Sequence, residues 1–213
     1  LLFTGDEGSG CLPLALAFSQ YITCSDKTEN DSCGKCTGCV KSQKIVHPDI
    51  HFVYPVATTG KIKKEPVSSN FADEWRRFMI ENPYSDISEW FDFIGIEKKQ
   101  GGIQRNESSE IIKILNFKSY EADFKIMIIW MLEKMNETCA NKLLKILEEP
   151  PPDTIFLMVA ESTEFILPTI LSRVQIINVP KIDSKDIFSA LKKKFNLDDE
   201  TTNVVVQNSY GNY

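Results

Sequence analysis

The stretch that decides the fold is KIMIIWMLEKMNETCANKLLKILEEPPPDTIFLMVA, which covers residues 125–160. Residues 125–132 form an apolar run rich in Ile and Met, which is typical of a parallel strand buried on both faces. Asn136 is a favourable helix cap, and the prolines at 150–152 end that helix because proline lacks the amide donor. Residues 154–160 predict a second buried strand. This order predicts an α/β fold with a parallel sheet, whose carboxyl edge is the usual place for ligands.

Upstream of this unit, the start of the chain predicts a strand, a glycine-rich loop and a helix. The loop GDEGSGCL, residues 5–12, has the glycine spacing of a phosphate-binding P-loop, in which lysine and then Ser or Thr follow the last glycine. Cys11 replaces the lysine that neutralises the β- and γ-phosphates, and Leu12 replaces the hydroxyl residue that ligates magnesium. Gly5 and Gly10 are kept, so the loop amides could still hold an anion; the alternative is a turn retained only for strand-to-helix geometry.

The residues after the central unit predict a boundary near Pro180. Residues 175–179 predict a third strand, and a linker leads from Pro180 to a capped helix start at 183–186. We therefore expect an α/β core over residues 1–179 and the start of a second, helical domain over residues 180–213.

Four of the six cysteines have a spacing that is typical of a zinc site: Cys24, Cys33, Cys36 and Cys39. Four thiolates satisfy tetrahedral Zn²⁺, and the two-residue spacers let a tight turn present two sulfurs to one metal. Cys33 and Cys36 alone would also suit a redox dithiol, but the two further cysteines favour structural zinc. A closed four-thiolate site leaves no position for a substrate, so we expect the zinc module at 24–39 to be structural.

Composition and charge argue against several classes of protein. The 213 residues can bury a sizeable core, and the formal charge is 24 − 30 = −6, with a pI of about 5.1. This acidic balance argues against a generally basic nucleic-acid-binding surface. The longest apolar stretches fall short of a membrane span, and the start lacks the pattern of a signal peptide. We therefore expect a cytoplasmic chain without a membrane partner.

The region 55–107 is the least informative part of the sequence. Its basic loop at 58–64 either contacts a phosphate backbone or, more simply, is solvated. One apolar set recurs at helical spacing, and it consists of Phe71, Trp75, Phe78 and Met79. A second apolar cluster consists of Trp90, Phe91, Phe93 and Ile94. We expect these side chains to pack on the flank of the sheet; the alternative is an exposed patch that binds a partner.

Residues 108–110 are expected to precede the next helix. His47 is expected to be a loop residue and not a ligand.

Two motifs, NKLLKILEEPP at 141–151 and LPTILSR at 167–173, resemble the AAA+ subunits of the bacterial clamp loader in the DNA polymerase III holoenzyme. In the ATPases of that family, the strand corresponding to 125–132 ends in an Asp-Glu pair that holds magnesium and polarises water. Trp130 and Met131 take those positions here, and neither side chain can ligate a cation or act as a base. The resemblance therefore implies the delta prime branch of the family, which does not hydrolyse ATP, with no functional ATP or magnesium site.

The same resemblance implies a fold and a set of partners. It implies an AAA+ core with an inserted zinc module, a helical lid domain that is cut before its end, and a further segment before Leu1. The implied partners are the gamma/tau and delta subunits of the clamp loader, with the sliding clamp and primer-template DNA reached through the complex. Such a complex places the clamp on primed DNA with ATP that neighbouring subunits hydrolyse.

Arg173 is the residue that the resemblance implies for this chain's contribution to chemistry. It stands in Ser-Arg-Val, where the family has Ser-Arg-Cys, and would be an arginine finger offered in trans to nucleotide on the adjacent subunit. A guanidinium suits this task because it is always charged and its planar fork matches phosphate oxygens. The alternative is a structural arginine paired with Glu161 or Glu164.

Two other functions compete with this interpretation. A gamma/tau-type ATPase subunit would need the loop lysine and the acidic pair, which are absent at Cys11, Trp130 and Met131. A free-standing zinc module that binds nucleic acid would need a basic surface, and the acidic residues within 24–39 argue against one.

Overall fold

Five parallel strands form one central sheet in the computed structural model, which describes residues 1–96 and 100–213. The strands are β1 (Leu2–Thr4), β2 (Ile50–Val53), β3 (Lys125–Trp130), β4 (Thr154–Ala160) and β5 (Ile176–Asn178). They lie in the order β2-β3-β4-β1-β5, and each neighbouring pair is parallel. The predicted parallel sheet is confirmed.

Strand β3 is shorter than the sequence pattern predicts. Met131 takes a left-handed conformation with a φ of 57°, and Leu132–Lys134 then form a short 3-10 helix. A strand requires extended backbone, so a left-handed residue ends it. The chain therefore leaves the sheet after Trp130 and does not continue in it to residue 132.

The described residues form nine α-helices and two short 3-10 helices, at Ser68–Phe71 and Leu132–Lys134. The α-helices are α1 (Cys11–Thr23), α2 (Thr37–Gln43), α3 (Ala72–Glu81), α4 (Ile87–Phe93), α5 (Arg105–Leu115), α6 (Glu137–Glu148), α7 (Pro168–Leu171), α8 (Ser184–Phe195) and α9 (Asp199–Ser209). The predicted cap of α6 is confirmed, because the Asn136 side chain accepts the Cys139 N–H at 2.8 Å. Helix α5 begins earlier than predicted, so residues 108–110 lie inside it and not before it. Among the described helices, none has both the length and the apolar character needed to cross a membrane.

The helices cover both faces of the sheet and enclose two hydrophobic cores. The first core lies between the sheet and α1, α3 and α4, and includes Phe3, Ile128 and Leu157. The second lies between the sheet and α5, α6 and α7, and includes Met127 and Met158. Successive residues of β3 point into opposite cores, so this strand is buried on both faces, as its apolar run predicts.

The aromatic residues of the region 55–107 form a cluster inside the first core. Trp75 stacks on Tyr54 with ring centroids 4.0 Å apart and meets Trp90 edge-on at 5.2 Å. The Trp75 ring also lies 5.3 Å from that of Trp130, at the end of β3. Because Trp75 and Trp90 are buried, the predicted packing on the sheet is confirmed for them, and the alternative of an exposed partner-binding patch is wrong for them.

Asp49 ties the loop before β3 to the start of β2. Its buried carboxylate accepts backbone N–H bonds from Tyr120, Glu121 and Ala122, the last two at 2.8 Å. Burial raises the pKa of Asp49, but these hydrogen bonds outweigh it and leave the pKa below its ordinary value. His47 is also buried and accepts the Asp49 N–H at its Nδ1 atom, 3.1 Å away. Both residues therefore have structural roles, as expected for His47.

We expect Asp49→Ala to lower the free energy of unfolding by about 2–3 kcal/mol, because three amide donors lose their charged acceptor. Urea denaturation at pH 7 measures the change, and Asp123→Ala, an exposed substitution in the same loop, is the matched control. The pKa of Asp49 is depressed in the folded chain, so its contribution is present at neutral pH and is lost as the pH falls through that pKa. Equal stability of the two variants at pH 7 would contradict this role.

Candidate functional site

The glycine loop lies between β1 and α1, at the carboxyl edge of the sheet. Gly8 and Gly10 have φ values of 73° and 83°, which favour glycine, and Gly10 precedes α1 without a side-chain cap. Cys11 and Leu12 are both buried, and Leu12 belongs to the first core. Burial raises the pKa of the Cys11 thiol, so this group is neutral at pH 7. The loop has the form of a phosphate loop without its cation or its metal ligand.

Side chains from other parts of the chain fill the space beside this loop. A methyl group placed on Gly8 would lie 1.7 Å from the Asn212 amide oxygen. One placed on Gly10 would lie 3.2 Å from the ring of Tyr84. Tyr84 in turn packs against Tyr213, with ring centroids 4.7 Å apart. The segment between α3 and α4 and the residues after α9 therefore meet over the glycine loop.

The cavity at this edge of the sheet is small and acidic. Its volume is about 40 Å³, and the residues that line it include four carboxylates: Asp6, Glu7, Asp86 and Glu161. No lysine or arginine occurs among the described residues that line it, and the Lys181 ammonium lies outside the lining, 3.4 Å from Asp6 Oδ2. Burial raises the pKa of Glu161, and the carboxylates of Glu133 and Glu7 raise it further. Because like charges repel at short range, this lining disfavours a triphosphate.

Trp130 and Met131 line the same cavity, so the structure brings the end of β3 and the glycine loop together. Both side chains are buried, and neither offers an oxygen ligand for magnesium. Glu133, the nearest acidic residue along the chain, accepts the Glu161 N–H at its Oε1 atom, 2.9 Å away. The Oε2 atom of Glu133 is buried without a partner among the described residues, and burial raises its pKa. The hydrogen bond from Glu161 fixes the Glu133 carboxyl group against the loop that follows β4.

The four clustered cysteines come together as one candidate metal site. Their sulfurs lie within 4.8 Å of one another, with 4.0 Å between Cys33 and Cys39 and 3.9 Å between Cys24 and Cys36. A zinc ion bound tetrahedrally, about 2.3 Å from each sulfur, needs sulfurs about 3.8 Å apart. The spacing therefore fits a metal ion such as zinc.

Backbone amides prepare these sulfurs to act as ligands. The Cys33 N–H donates to the Cys24 sulfur at 3.3 Å, and the Cys36 N–H donates to the Cys33 sulfur at 3.3 Å. The Cys39 N–H donates to the Cys36 sulfur at 3.4 Å and is the main cause that lowers the pKa of Cys36 to about 5. Burial raises the pKa of Cys39 to about 12, so a metal that binds here displaces a proton from that thiol.

The cysteine cluster joins α1 to α2. Cys24 is the C-cap residue that follows α1, and the Cys36 side chain caps the start of α2. Gly38 lets the two helices approach closely, because a methyl group there would lie 2.6 Å from the Thr23 carbonyl oxygen. A metal at this position would brace the packing of two helices.

Arg173 follows α7, and acceptors of its own chain bind its guanidinium. Its Nε atom donates to Glu148 Oε1 at 2.7 Å, and its Nη2 atom donates to the same oxygen. Its Nη1 atom donates to the Thr169 carbonyl oxygen at 2.7 Å and to the Ser172 hydroxyl at 3.2 Å. Arg173 is therefore fixed between the end of α6 and the turn that follows α7.

The expected alternative, a pairing of Arg173 with Glu161 or Glu164, is wrong. Both glutamates lie in the loop that follows β4, at the carboxyl edge of the sheet. Arg173 instead precedes β5, and the Gln175 carbonyl accepts the N–H of Leu2, the first residue of β1, at 2.8 Å. Arg173 thus lies near the amino edge of the parallel sheet, opposite the glycine loop.

Three residues at these sites were not identified from the sequence: Tyr84, Asn212 and Glu148. The first two lie far from the glycine loop along the chain, so no local pattern places them beside it. Glu148 belongs to the LEEPP motif, but the motif does not reveal that its carboxylate meets Arg173.

The sequence is similar to those of known DNA polymerase III subunits. A family described as "DNA polymerase III, delta subunit" matches residues 1–183. The DNA polymerase III subunit delta′ of Haemophilus influenzae is 27% identical over 194 residues, which cover 91% of this chain and 46% of that protein. The same subunit of Bacillus subtilis is 26% identical over 186 residues, covering 87% of this chain and 43% of that protein. The chain thus spans less than half the length of these relatives.

A solved structure is similar in fold. The crystal structure of a DNA polymerase III gamma subunit-related protein from Thermotoga maritima matches with a TM-score of 0.50 and 17% identity, over 97% of this chain and 52% of that chain. The predicted α/β core with a parallel sheet is confirmed, and its fold is similar to that of this solved structure. Since the family match covers residues 1–183 of 213, the chain belongs to the DNA polymerase III delta-subunit family, among whose members it resembles the delta′ subunits.

Proposed function

We propose that the chain is a non-hydrolysing, delta′-type subunit of a bacterial clamp loader, which helps place the sliding clamp on primed DNA during replication. The observation that carries this proposal is the glycine-loop cavity, which four carboxylates line and which has no cationic side chain among its described residues. Membership of the family supports the complex in which the chain acts. In this role the chain holds its neighbours, and other subunits hydrolyse ATP.

The alternative of a gamma/tau-type ATPase subunit has less support from the geometry. Hydrolysis requires a cation on the phosphates, a ligand for magnesium and a group that orients water. Cys11, Leu12 and Trp130 stand at the positions concerned and provide none of these. The cavity of about 40 Å³ is also far smaller than the several hundred Å³ typical of a ligand pocket.

Arg173 suits the proposed task of an arginine finger for a neighbouring subunit. It lies near the amino edge of the sheet, whereas the chain's own glycine loop lies at the carboxyl edge. It is therefore badly placed to serve a nucleotide on its own chain. Its side chain is 29% exposed, which leaves part of the guanidinium accessible to a partner. The proposed acceptor is the nucleotide bound by the adjacent ATPase subunit.

We also propose zinc as the metal of the cysteine cluster, with a structural role. Zinc prefers thiolates in a tetrahedral set, and the four sulfurs have the matching separations. Four protein ligands complete its coordination, so the metal would hold α1 and α2 together and perform no chemistry.

The proposed partners are the gamma/tau and delta subunits, with the sliding clamp and primer-template DNA reached through the assembly in the cytoplasm. The formal charge of −6 supports DNA contact through the assembly more than by this chain alone.

The purified chain is expected to bind no magnesium-ATP at millimolar concentration and to hydrolyse none above background. Equilibrium dialysis and phosphate release measure the two properties. Restoring the loop alone, with Cys11→Lys and Leu12→Thr, should create no activity, because Trp130 still stands where the ATPases have an acid. Turnover that follows the wild-type chain through purification and disappears in a folded Gly10→Asp variant would contradict the non-hydrolysing role.

Protein purified without chelator is expected to contain one zinc ion per chain. Replacing Cys33 and Cys36 with serine should abolish zinc binding and lower the Tm, because metal binding and local folding are coupled. Cys11→Ser, outside the cluster, is the matched control and should retain the metal. Elemental analysis measures the content, and less than half occupancy in the wild type would argue against the zinc proposal.

Arg173→Ala is expected to leave folding and complex assembly unchanged but to slow ATP-dependent clamp loading. Arginine fingers accelerate other phosphoryl transfers by about 10³- to 10⁵-fold, and an assembly with several sites should lose less in total turnover. Arg173→Lys should restore little of the loading rate, because the compact ammonium of lysine cannot reproduce the planar set of donors of a guanidinium. Lys142→Ala, an exposed cation on α6, is the control. A wild-type loading rate in the Arg173→Ala complex would refute the role.

A further inference from the structure

We propose that Glu148 is a positioning residue, which orients the Arg173 guanidinium towards the nucleotide of the adjacent subunit. This inference rests on the proposed role of Arg173 as an arginine finger. It assigns a specific task to a residue of the LEEPP motif, which lies at the end of α6.

The hydrogen bonds around Arg173 fix both the plane and the direction of its fork. Glu148 Oε1 accepts from Nε at 2.7 Å and also from Nη2. On the other side, Nη1 donates to the Thr169 carbonyl oxygen at 2.7 Å and to the Ser172 hydroxyl at 3.2 Å. Acceptors on two sides of a planar group leave it little rotation. Glu148 is the only charged acceptor among these contacts, and charge-assisted hydrogen bonds are the stronger ones.

The same contacts leave one N–H donor of the guanidinium free for a further acceptor. A guanidinium has five N–H donors, of which Nε carries one and each Nη carries two. Four are used by Glu148, Thr169 and Ser172, so one N–H of Nη2 is left by these contacts. Glu148 can therefore hold the arginine in place while a phosphate oxygen accepts the remaining donor.

The pair is also exposed enough to exchange partners. The side chains of Glu148 and Arg173 are 49% and 29% exposed, and ion pairs in contact with water are weak. A triphosphate carries more charge than one carboxylate, so it can replace Glu148 at Nη2 while Nε keeps its bond. Glu148 thus orients the guanidinium without withholding it from a phosphate.

Helices with defined caps and packing hold both members of the pair. Glu148 ends α6, which Asn136 caps at its start and Leu143 anchors in the second core. Arg173 follows α7, and its own N–H donates to the Ile170 carbonyl at 2.9 Å. An arginine on such a support loses less rotamer freedom when it meets a phosphate than a free side chain does. The expected effect of Glu148 is therefore on the rate of hydrolysis by the neighbouring subunit.

The test uses the full-length chain reconstituted with the ATPase and other subunits of its own clamp loader. Glu148→Gln keeps the side-chain shape but removes the charge, and is expected to lower the kcat of clamp- and DNA-stimulated ATP hydrolysis about 3- to 10-fold, with little change in KM for ATP. Glu148→Asp should recover part of the rate. Glu149→Gln, the exposed neighbour, is the matched control and should behave as wild type. The Tm of each isolated variant should stay at the wild-type value.

A double-mutant cycle separates positioning from a simple structural tie between α6 and α7. If Glu148 acts through the arginine, Arg173→Ala with Glu148→Gln should be no slower than Arg173→Ala alone. An equal further loss in the Arg173→Ala background, or a lowered Tm, would show a structural role and overturn the proposal. A wild-type rate in Glu148→Gln beside a slow Arg173→Ala would overturn it and leave the arginine finger intact. A wild-type rate in Arg173→Ala would remove the arginine finger itself and the proposal with it.

Discussion

The pairing of β3 with β4 is the interaction on which the rest of the structure depends. Six residue pairs hold these strands in parallel register, and a core covers each face of β3. Because all strands run the same way, the sheet has two chemically distinct edges. The glycine loop lies at the carboxyl edge with Trp130, and Arg173 lies near the amino edge with Glu148. The two edges therefore carry different groups, and the proposed arginine finger lies on the edge opposite the chain's own glycine loop.

The carboxyl edge shows how a nucleotide site can be replaced by packing. Where an ATPase has acidic groups at the end of the central strand, Trp130 joins an aromatic cluster with Trp75 and Tyr54. Where a nucleotide would lie beside the glycine loop, Tyr84 and Asn212 cover it. Burial of these apolar rings stabilises this edge of the sheet.

The features predicted correctly from the sequence are those that short-range chemistry determines. The apolar run of β3, the Asn136 cap and the cysteine spacing each act within a few residues, and the structure agrees with each. Contacts between distant segments were not predictable in this way. The carboxylate of Asp49 accepts hydrogen bonds from amides about 70 residues further along the chain. Arg173 pairs with Glu148 and not with Glu161 or Glu164, which are nearer in sequence. Tertiary packing determines such partners, and no local pattern encodes them.

The aromatic cluster also gives the protein an intrinsic fluorescence probe. The chain has three tryptophans, and Trp90 and Trp130 both lie within 5.3 Å of Trp75, measured between ring centroids. All of its indole fluorescence therefore originates from one aromatic cluster in the first core, of which Trp130 lines the glycine-loop cavity. Emission from the unlabelled chain reports on the environment of that cluster, and the cysteine module and α8 contribute none. Binding of a tryptophan-free protein near this cluster would therefore change the emission of this chain alone.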